Sequence, residues 1–402
     1  MKVAYYSPLP PSRSGIADYS ALLLPALRER LDVVTAQPGR RAPAADVALY
    51  HIGNDPDAHG WIVDALQKRP GVVVLHEFVL HHLISGITLG RGNSRAYFAA
   101  MERDYGVVGR LLALGVGDNL LPLIWETQPE RFPLAGTVLD LAEGVIVHSH
   151  YVERLAREWG YRGPIWRIPH PAWPESPVEP AGLAGDPLVG CFGYLNMNKR
   201  IPQLLEAFAS LQQRRPGARL LLVGSSAERF DLDRRLERLG LDGDALLRRD
   251  YVAEEELWPL MAAADVLVNL RAPTMGETSG SVIRGLSLGK PMLVSDLGWF
   301  SELPDGVALR IPVDEYEVPT IAGALELAAA HADELGEAAR AYVRREHDLE
   351  RSADAYAAAL VEAAGGQAVS DAVLQRLAEA AADVGLEDVD GLAARVREAG
   401  IL

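Results

Sequence analysis

The 402-residue chain is too long for one ordinary core, since single cores stop growing near roughly 250 to 300 residues, so two domains are expected. Its 49% hydrophobic and 23% charged residues exclude a disordered chain. The 55 acidic against 39 basic residues, a net charge of −16, disfavour a global grip on nucleic acid or on an anionic membrane.

The opening "MKVAYYSPLPP" has one lysine and then a proline-rich turn instead of a long apolar run. No stretch of about 18 apolar residues follows anywhere. A cytoplasmic protein is expected, with a peripheral membrane contact at most. From there short β-type runs alternate with helical patterns: "KVAYYS", the helix-like "IADYSALLLPALRER", "DVVTA", "DVALYHI", a helix near 58 to 69, "GVVVLHE", and "GVIVHS" followed by "HYVERLAREWG". Apolar strands separated by crossover helices are the sequence form of a parallel sheet covered on both faces. The first domain, residues 1–170, reads as Rossmann-like.

Between about residues 167 and 187, "RIPHPAWPESPVEPAGLAGDP" carries six prolines and no hydrophobic periodicity, as an interdomain linker does. The alternation then restarts over residues 186–350, through "PLVGCFGYL", "IPQLLEAFASLQQRRP", "ARLLLVGSS", a helix near 228 to 239, "ALLRRDYV", "EEELWPLMAAA", "DVLVNLR", a helix at 281 to 288 and "PMLVSD". This predicts a second parallel sheet. The single cysteine, Cys191, falls inside its first apolar run, where it reads as a buried thiol in a reducing compartment. Residues 351–402 are rich in alanine, glutamate and arginine at helical spacing and read as C-terminal helices.

Three loops carry the chemistry. After the first strand, "PSRSGIADYS" sets Gly15 at a helix start, where backbone N–H groups can approach an anion or a sugar. It is not the Gly-x-Gly-x-x-Gly fingerprint, which argues against a nicotinamide or flavin enzyme. In "FGYLNMNKR", Gly193 and a polar loop lead to Lys199, set to neutralise a phosphate, with Asn196 and Asn198 adding neutral hydrogen bonds. In "MGETSGSVIRGLSLGKP", Glu277, Thr278, Ser279, Gly280 and Ser281 stand at a helix N-terminus. The free N–H groups and hydroxyls there suit a phosphate, and the carboxylate suits sugar hydroxyls. The plainer alternative is that Thr278 or Ser279 caps the helix and Glu277 favours its dipole.

On these residues the chain resembles the retaining glycosyltransferase family 4, among the glycosyl transferases group 1, over roughly residues 1 to 365. "SGIADYS" is similar to the family's N-terminal glycine loop, "VIVHSHYVERL" to its last N-domain strand and helix, "GYLNMNK" to its diphosphate loop and "MGETSGSVIRGLSLGKPMLVSD" to its donor motif. The resemblance implies an α/β protein of GT-B fold, two Rossmann-like domains with parallel sheets facing across a cleft and the first C-terminal helix crossing back to the N-domain. It implies transfer of a sugar, with retention, from a nucleotide diphosphate sugar to a hydroxyl acceptor, with no cofactor and no metal. Two departures stand out. Gly276 and Arg284 occupy the positions of the family's two glutamates, and Tyr194 that of a phosphate-binding arginine.

The resemblance implies that Glu277, shifted by one residue, grips the sugar, that Lys199 keeps the phosphate role and that the neighbouring Arg200 compensates for Tyr194. Val252 joins the donor-contacting set, and His76 in "VVVLHEFVLHHL" falls at an active-site histidine. His76, His81 and His82 do not make a complete zinc ligand set, and the Asp-x-Asp triplets "DPD", "DLD" and "DVD" carry no weight in an acid-rich chain. A catalytically inactive sugar-nucleotide-binding scaffold and a sugar-nucleotide epimerase stand as alternatives.

Overall fold

A computed structural model of the chain describes residues 1–227, 230–241 and 243–366. They form two compact units, Met1–Pro169 together with the chain from Glu350, and His170–Leu349. The "DVD" triplet and the last two expected helical stretches lie outside the described residues.

The first unit holds six parallel strands, β1 (Lys2–Tyr6), β2 (Asp32–Thr35), β3 (Val47–Ile52), β4 (Gly71–Leu75), β5 (Ala142–Val147) and β6 (Ile165–Arg167), in the order β2-β1-β3-β4-β5-β6. Every residue of β3 and β4 is buried. That is why these strands read as unbroken apolar runs and not as an alternating pattern. Helix Gly15–Arg28 follows β1, its first turn held by the Ser14 hydroxyl, which accepts from Ile16 N–H at 3.3 Å. The helix Leu349–Ala364 returns to this unit from Glu350 on, where Tyr356 meets Tyr19 hydroxyl to hydroxyl at 2.8 Å.

The second unit repeats the plan with β7 (Leu188–Phe192), β8 (Arg219–Val223), β9 (Leu246–Arg249), β10 (Val266–Asn269), β11 (Met292–Ser295) and β12 (Leu309–Ile311), all parallel, in the order β12-β11-β10-β7-β8-β9. Alternate residues feed two cores. Val189, Cys191, Leu220 and Leu222 pack on one face, and Leu188, Phe192, Leu221 and Val223 on the other. Cys191 is accordingly buried, and burial raises its thiol pKa.

The chain leaves β7 toward β8 and β9 on one side, then returns to β10, β11 and β12 on the other. The loops after β7 and β10 therefore diverge at the centre of the sheet and open a crevice at the carboxyl ends of the strands, where open α/β sheets bind ligands.

Candidate active site

The loop after β7 begins at Gly193, whose φ of 98° suits glycine, and whose missing side chain is the space Lys199 fills: a Cβ there would collide with Lys199 Nζ. The Asn196 side chain accepts from Lys199 N–H at 3.0 Å and fixes the turn. Lys199 is not the exposed lysine that its polar neighbours suggest. It is 6% exposed, and its ammonium donates to the carbonyl of Phe192 at 2.5 Å. Burial, with repulsion from Arg271 next, lowers its pKa from the usual lysine value to about 7, against smaller opposing effects of Cys191 and Glu277. Lys199 is a poised amine.

Arg271 is the residue the sequence reading missed. It follows β10 in "DVLVNLR", where it reads as the tail of a strand, yet its charge acts on Lys199. Its backbone N–H is held by Ser295 Oγ at 2.8 Å, and its guanidinium pairs with Glu277 at 2.9 Å. The two loops are tied where Ala272 N–H donates to the carbonyl of Asn198 at 2.9 Å.

Glu277, expected to grip a sugar, has both carboxylate oxygens engaged within its own loop. One carboxylate oxygen accepts from Met275 N–H at 2.7 Å and from the Thr274 hydroxyl at 3.1 Å, and the other faces Arg271. Both oxygens brace their own loop, which turns at Gly276 with φ 82°. Ser279 then caps the helix Gly280–Ser287, accepting from Val282 N–H at 3.4 Å, so for Ser279 the plainer capping alternative holds. Half-buried Thr278, Gly280 and Ser281 surround the first turn, whose leading N–H groups have no acceptor within the helix.

Arg200 and Arg284 are each paired within the protein. Arg200 caps the helix Ile201–Arg214 with a left-handed backbone, φ 54°, and its guanidinium pairs with buried Glu317, at 2.9 Å through Nε. Its guanidinium is thus already paired, while Tyr194 is an uncharged, 52% exposed side chain. Arg284 is buried, its guanidinium 3.6 Å from the Trp173 ring centroid and 3.3 Å from Glu254. Trp173 and Glu254 thus hold this cation. Val252 follows edge strand β9, two strands from β7, and packs half-buried against the core instead of joining these loops.

In the first unit, His76 follows β4 and is 8% exposed, its Nε2 3.0 Å from His51 Nδ1. His81 turns elsewhere, its ring nitrogens meeting the Phe132 carbonyl at 2.7 Å and the Tyr97 hydroxyl at 2.9 Å, and His82 is exposed. Burial lowers the His81 pKa to about 4. Asp55 of "DPD" and Asp231 of "DLD" are helix caps. Among the described residues no group of three or more His, Cys, Asp or Glu side chains is arranged to hold a metal ion. Gly15, exposed at its helix start, has open space around it, and beside the β1 loop a groove of about 910 Å³ is lined by Ser7, Pro10, Gln37, Asp57 and Trp61.

Residues 186–331, which hold both loops, match the sequence model of the family Glycosyl transferases group 1. No curated protein matches the chain. Among solved structures it is similar to sucrose-phosphate synthase from Thermosynechococcus elongatus, at 20% identity and TM-score 0.57 over 88% of this chain and 96% of that one. It is also similar to Anabaena HepE in complex with UDP and glucose, at 17% identity and TM-score 0.60 over 90% and 100%. The fold is GT-B. The segment matched by that family model lies on the β7 to β12 sheet, with its two motif loops at the strand ends. No helix among the described residues is long and apolar enough to cross a membrane.

Proposed function

We propose that the protein is a retaining glycosyltransferase that moves a sugar from a nucleotide diphosphate donor to a hydroxyl acceptor without a metal. The observation that carries this reading is the meeting of the two group 1 loops at the crevice between β7 and β10, with Lys199 and Arg271 together against one another. A departing diphosphate develops negative charge, and buried cations with helix-end N–H groups answer it without reorganising at the moment of reaction. Lys199, Arg271 and the Gly280 and Ser281 amides take that part, while Glu277 holds the loop in shape. Asn198 supports the crevice through its carbonyl.

The HepE structure holds UDP and glucose, so UDP-glucose is the first donor to test. The acceptor is assigned to the groove at Trp61, where Ser7, Gln37 and Asp57 beside Pro10 and the Trp61 ring suit a hydroxyl compound. A panel of nucleoside diphosphates and their sugars, read by thermal shift, identifies the donor. A ligand at 100 times its dissociation constant stabilises by about 2.7 kcal/mol. Product NMR then reads the anomeric configuration. An inverted product removes retention, binding without turnover supports the scaffold alternative, and an isomeric nucleotide sugar identifies an epimerase.

A further inference from the structure

A second pocket opens within the unit His170–Leu349, at the far end of the motif helix. The eight residues of Gly280–Ser287 span about 12 Å, with the motif loop at the N-terminus. The pocket, of about 550 Å³, lies against the C-terminal end, at Ser287, Leu288 and Lys290. Its other walls are the proline-rich linker that starts at Trp173, Trp258 of the helix Glu254–Ala263 and Arg340 of the helix Ala332–Glu346. Among the described residues it shares no lining side chain with the loops after β7 and β10. The aromatic walls are set in advance. The rings of Trp173 and Trp258 meet edge to face, with centroids 6.0 Å apart and planes at 71°. Arg284 holds Trp173 from one side, and the Trp258 indole N–H donates to Glu254 at 3.4 Å. Pro177 and Leu288 add apolar surface, and walls of this kind suit the face of a ring.

Two cations line the same pocket. The Arg340 guanidinium fills the space left by Gly289, at φ 66°, where a Cβ would collide with it, and it donates to the carbonyl of Leu288 at 2.8 Å. Lys290 is half-buried; burial lowers its pKa, Asp265 opposes this and the Arg340 charge adds to it. One use for both cations is to complement the C-terminus of the motif helix. That use engages one N–H of a guanidinium that has five, and no N–H of the Lys290 ammonium. The acids nearby are spoken for: Glu175 pairs with Arg344 at 3.1 Å, Glu254 with Arg284 at 3.3 Å, and Asp265 accepts from Leu188 N–H at 2.7 Å. Among the described residues neither Lys290 nor Arg340 forms an ion pair with a carboxylate. In a chain with 55 acids against 39 bases, two neighbouring cations left without an acid point to a ligand that brings the charge.

We propose that this pocket binds an organic phosphate monoester, with its ring against Trp173 and Trp258 and its phosphate on Lys290 and Arg340. A monoester carries about 1.5 to 2 negative charges at neutral pH, which matches two cations better than a carboxylate does. The guanidinium offers paired N–H groups to two phosphate oxygens, and the ammonium adds a point charge. Sugar rings and aromatic rings both present a flat face to an indole, and the test separates them. The site is distinct from the crevice assigned to the donor and does not rest on that assignment.

The test is titration calorimetry of the full chain at pH 7.5 with phenyl phosphate, ribose 5-phosphate and inorganic phosphate as probes. Saturable binding of a ring phosphate is expected, roughly tenfold or more tighter than inorganic phosphate, and the tighter of the two ring probes identifies the ring as aromatic or sugar. Lys290→Gln should weaken that binding roughly tenfold or more and Trp258→Leu roughly threefold or more, whereas Lys199→Met, in the crevice, should leave it within about threefold. Two results overturn the proposal outright: neither ring phosphate binds, or inorganic phosphate binds as tightly as both, which marks an adventitious ion only. Loss of binding in Lys199→Met with Lys290→Gln unchanged also overturns it, because the probe then sits in the crevice. Should Trp258→Leu fail to fold by circular dichroism, the half-buried Lys290→Gln still decides.

Discussion

Glu277→Gln tests most directly how the site is built. The substitution keeps the shape of the side chain but removes its charge, and so weakens three contacts at once: the ion pair to Arg271 at 2.9 Å and the hydrogen bonds from Met275 N–H at 2.7 Å and Thr274 Oγ1 at 3.1 Å. The Arg271 contact is an ion pair without an aligned Nε–H bond, so its share is chiefly Coulombic. The side chains are 13% and 23% exposed, which places the pair between the surface and buried limits. Charge-assisted hydrogen bonds are roughly twice as strong as neutral ones. Loss of that increment over three contacts is about 2 to 3 kcal/mol, or roughly 30- to 150-fold in an equilibrium constant.

The reasoning goes further, because Glu277 also favours the charged form of Lys199, and its removal leaves Arg271 unopposed beside that amine. Both effects act on the diphosphate end of the donor. Titration calorimetry with UDP and turnover of UDP-glucose should therefore fall together by that factor, with the fold intact by circular dichroism. The result that would refute this is wild-type UDP affinity with sugar transfer lost, for then the carboxylate touches the sugar and the bracing contacts are incidental.

Four further outcomes are expected. Lys199→Met should reduce turnover by roughly 30- to 1000-fold, the usual cost of losing one preorganised charge contact, and activity within threefold of wild type would exclude Lys199 from the site. Because the folded pKa of Lys199 is lowered to about 7, the unfolded chain binds more protons between pH 7 and about 10; stability should rise through that window in the wild type and rise less in Lys199→Met, as read by denaturant midpoints. A diphosphate beside the same amine raises its pKa, so UDP binding at pH 8 should take up protons, seen as a binding enthalpy that varies with the ionisation enthalpy of the buffer, and Lys199→Met should abolish that variation. Activity should survive EDTA; a loss that magnesium or manganese restores would make the metal-free reading wrong.

The sheets were legible because their strands are buried on both faces, which leaves an unbroken apolar run between turn residues. The motif loops were legible because a helix start after a strand has a recognisable glycine, hydroxyl and acid content. The direction of each side chain was not. Lys199 sits in "NMNKR", whose polarity predicts exposure, and only the space vacated at Gly193 explains its burial. The partner of Arg284 is Trp173, 111 positions away in the proline-rich linker, and the partner of Arg200 is Glu317 in another helix. Contacts of such separation leave no local period. The kinked helix Ser94–Gly117 escaped for a different reason: Gly106, at φ 62° and ψ −152°, interrupts it and breaks the spacing that would mark one long helix.

The departures from the family pattern make physical sense once these partners are known. Tyr194 stands where the family's pattern has an arginine, and Arg284 where it has a glutamate, which in a line of sequence looks like the loss of one cation and the reversal of one acid. In three dimensions each change has a separate answer. In the proposed site the missing cation would be supplied from the other loop by Arg271, whose charge reaches Lys199. The new cation at Arg284 is neutralised by Glu254 and shielded by Trp173, so it adds little field to the crevice. Two cations held close together would repel one another in an empty site, and Glu277 offsets that repulsion through its contact with Arg271. A diphosphate entering the crevice brings more negative charge than the single carboxylate, so the cation pair is better matched to the ligand than to the protein alone. That difference is what a leaving-group site requires, since only interactions stronger at the transition state than before it accelerate the reaction.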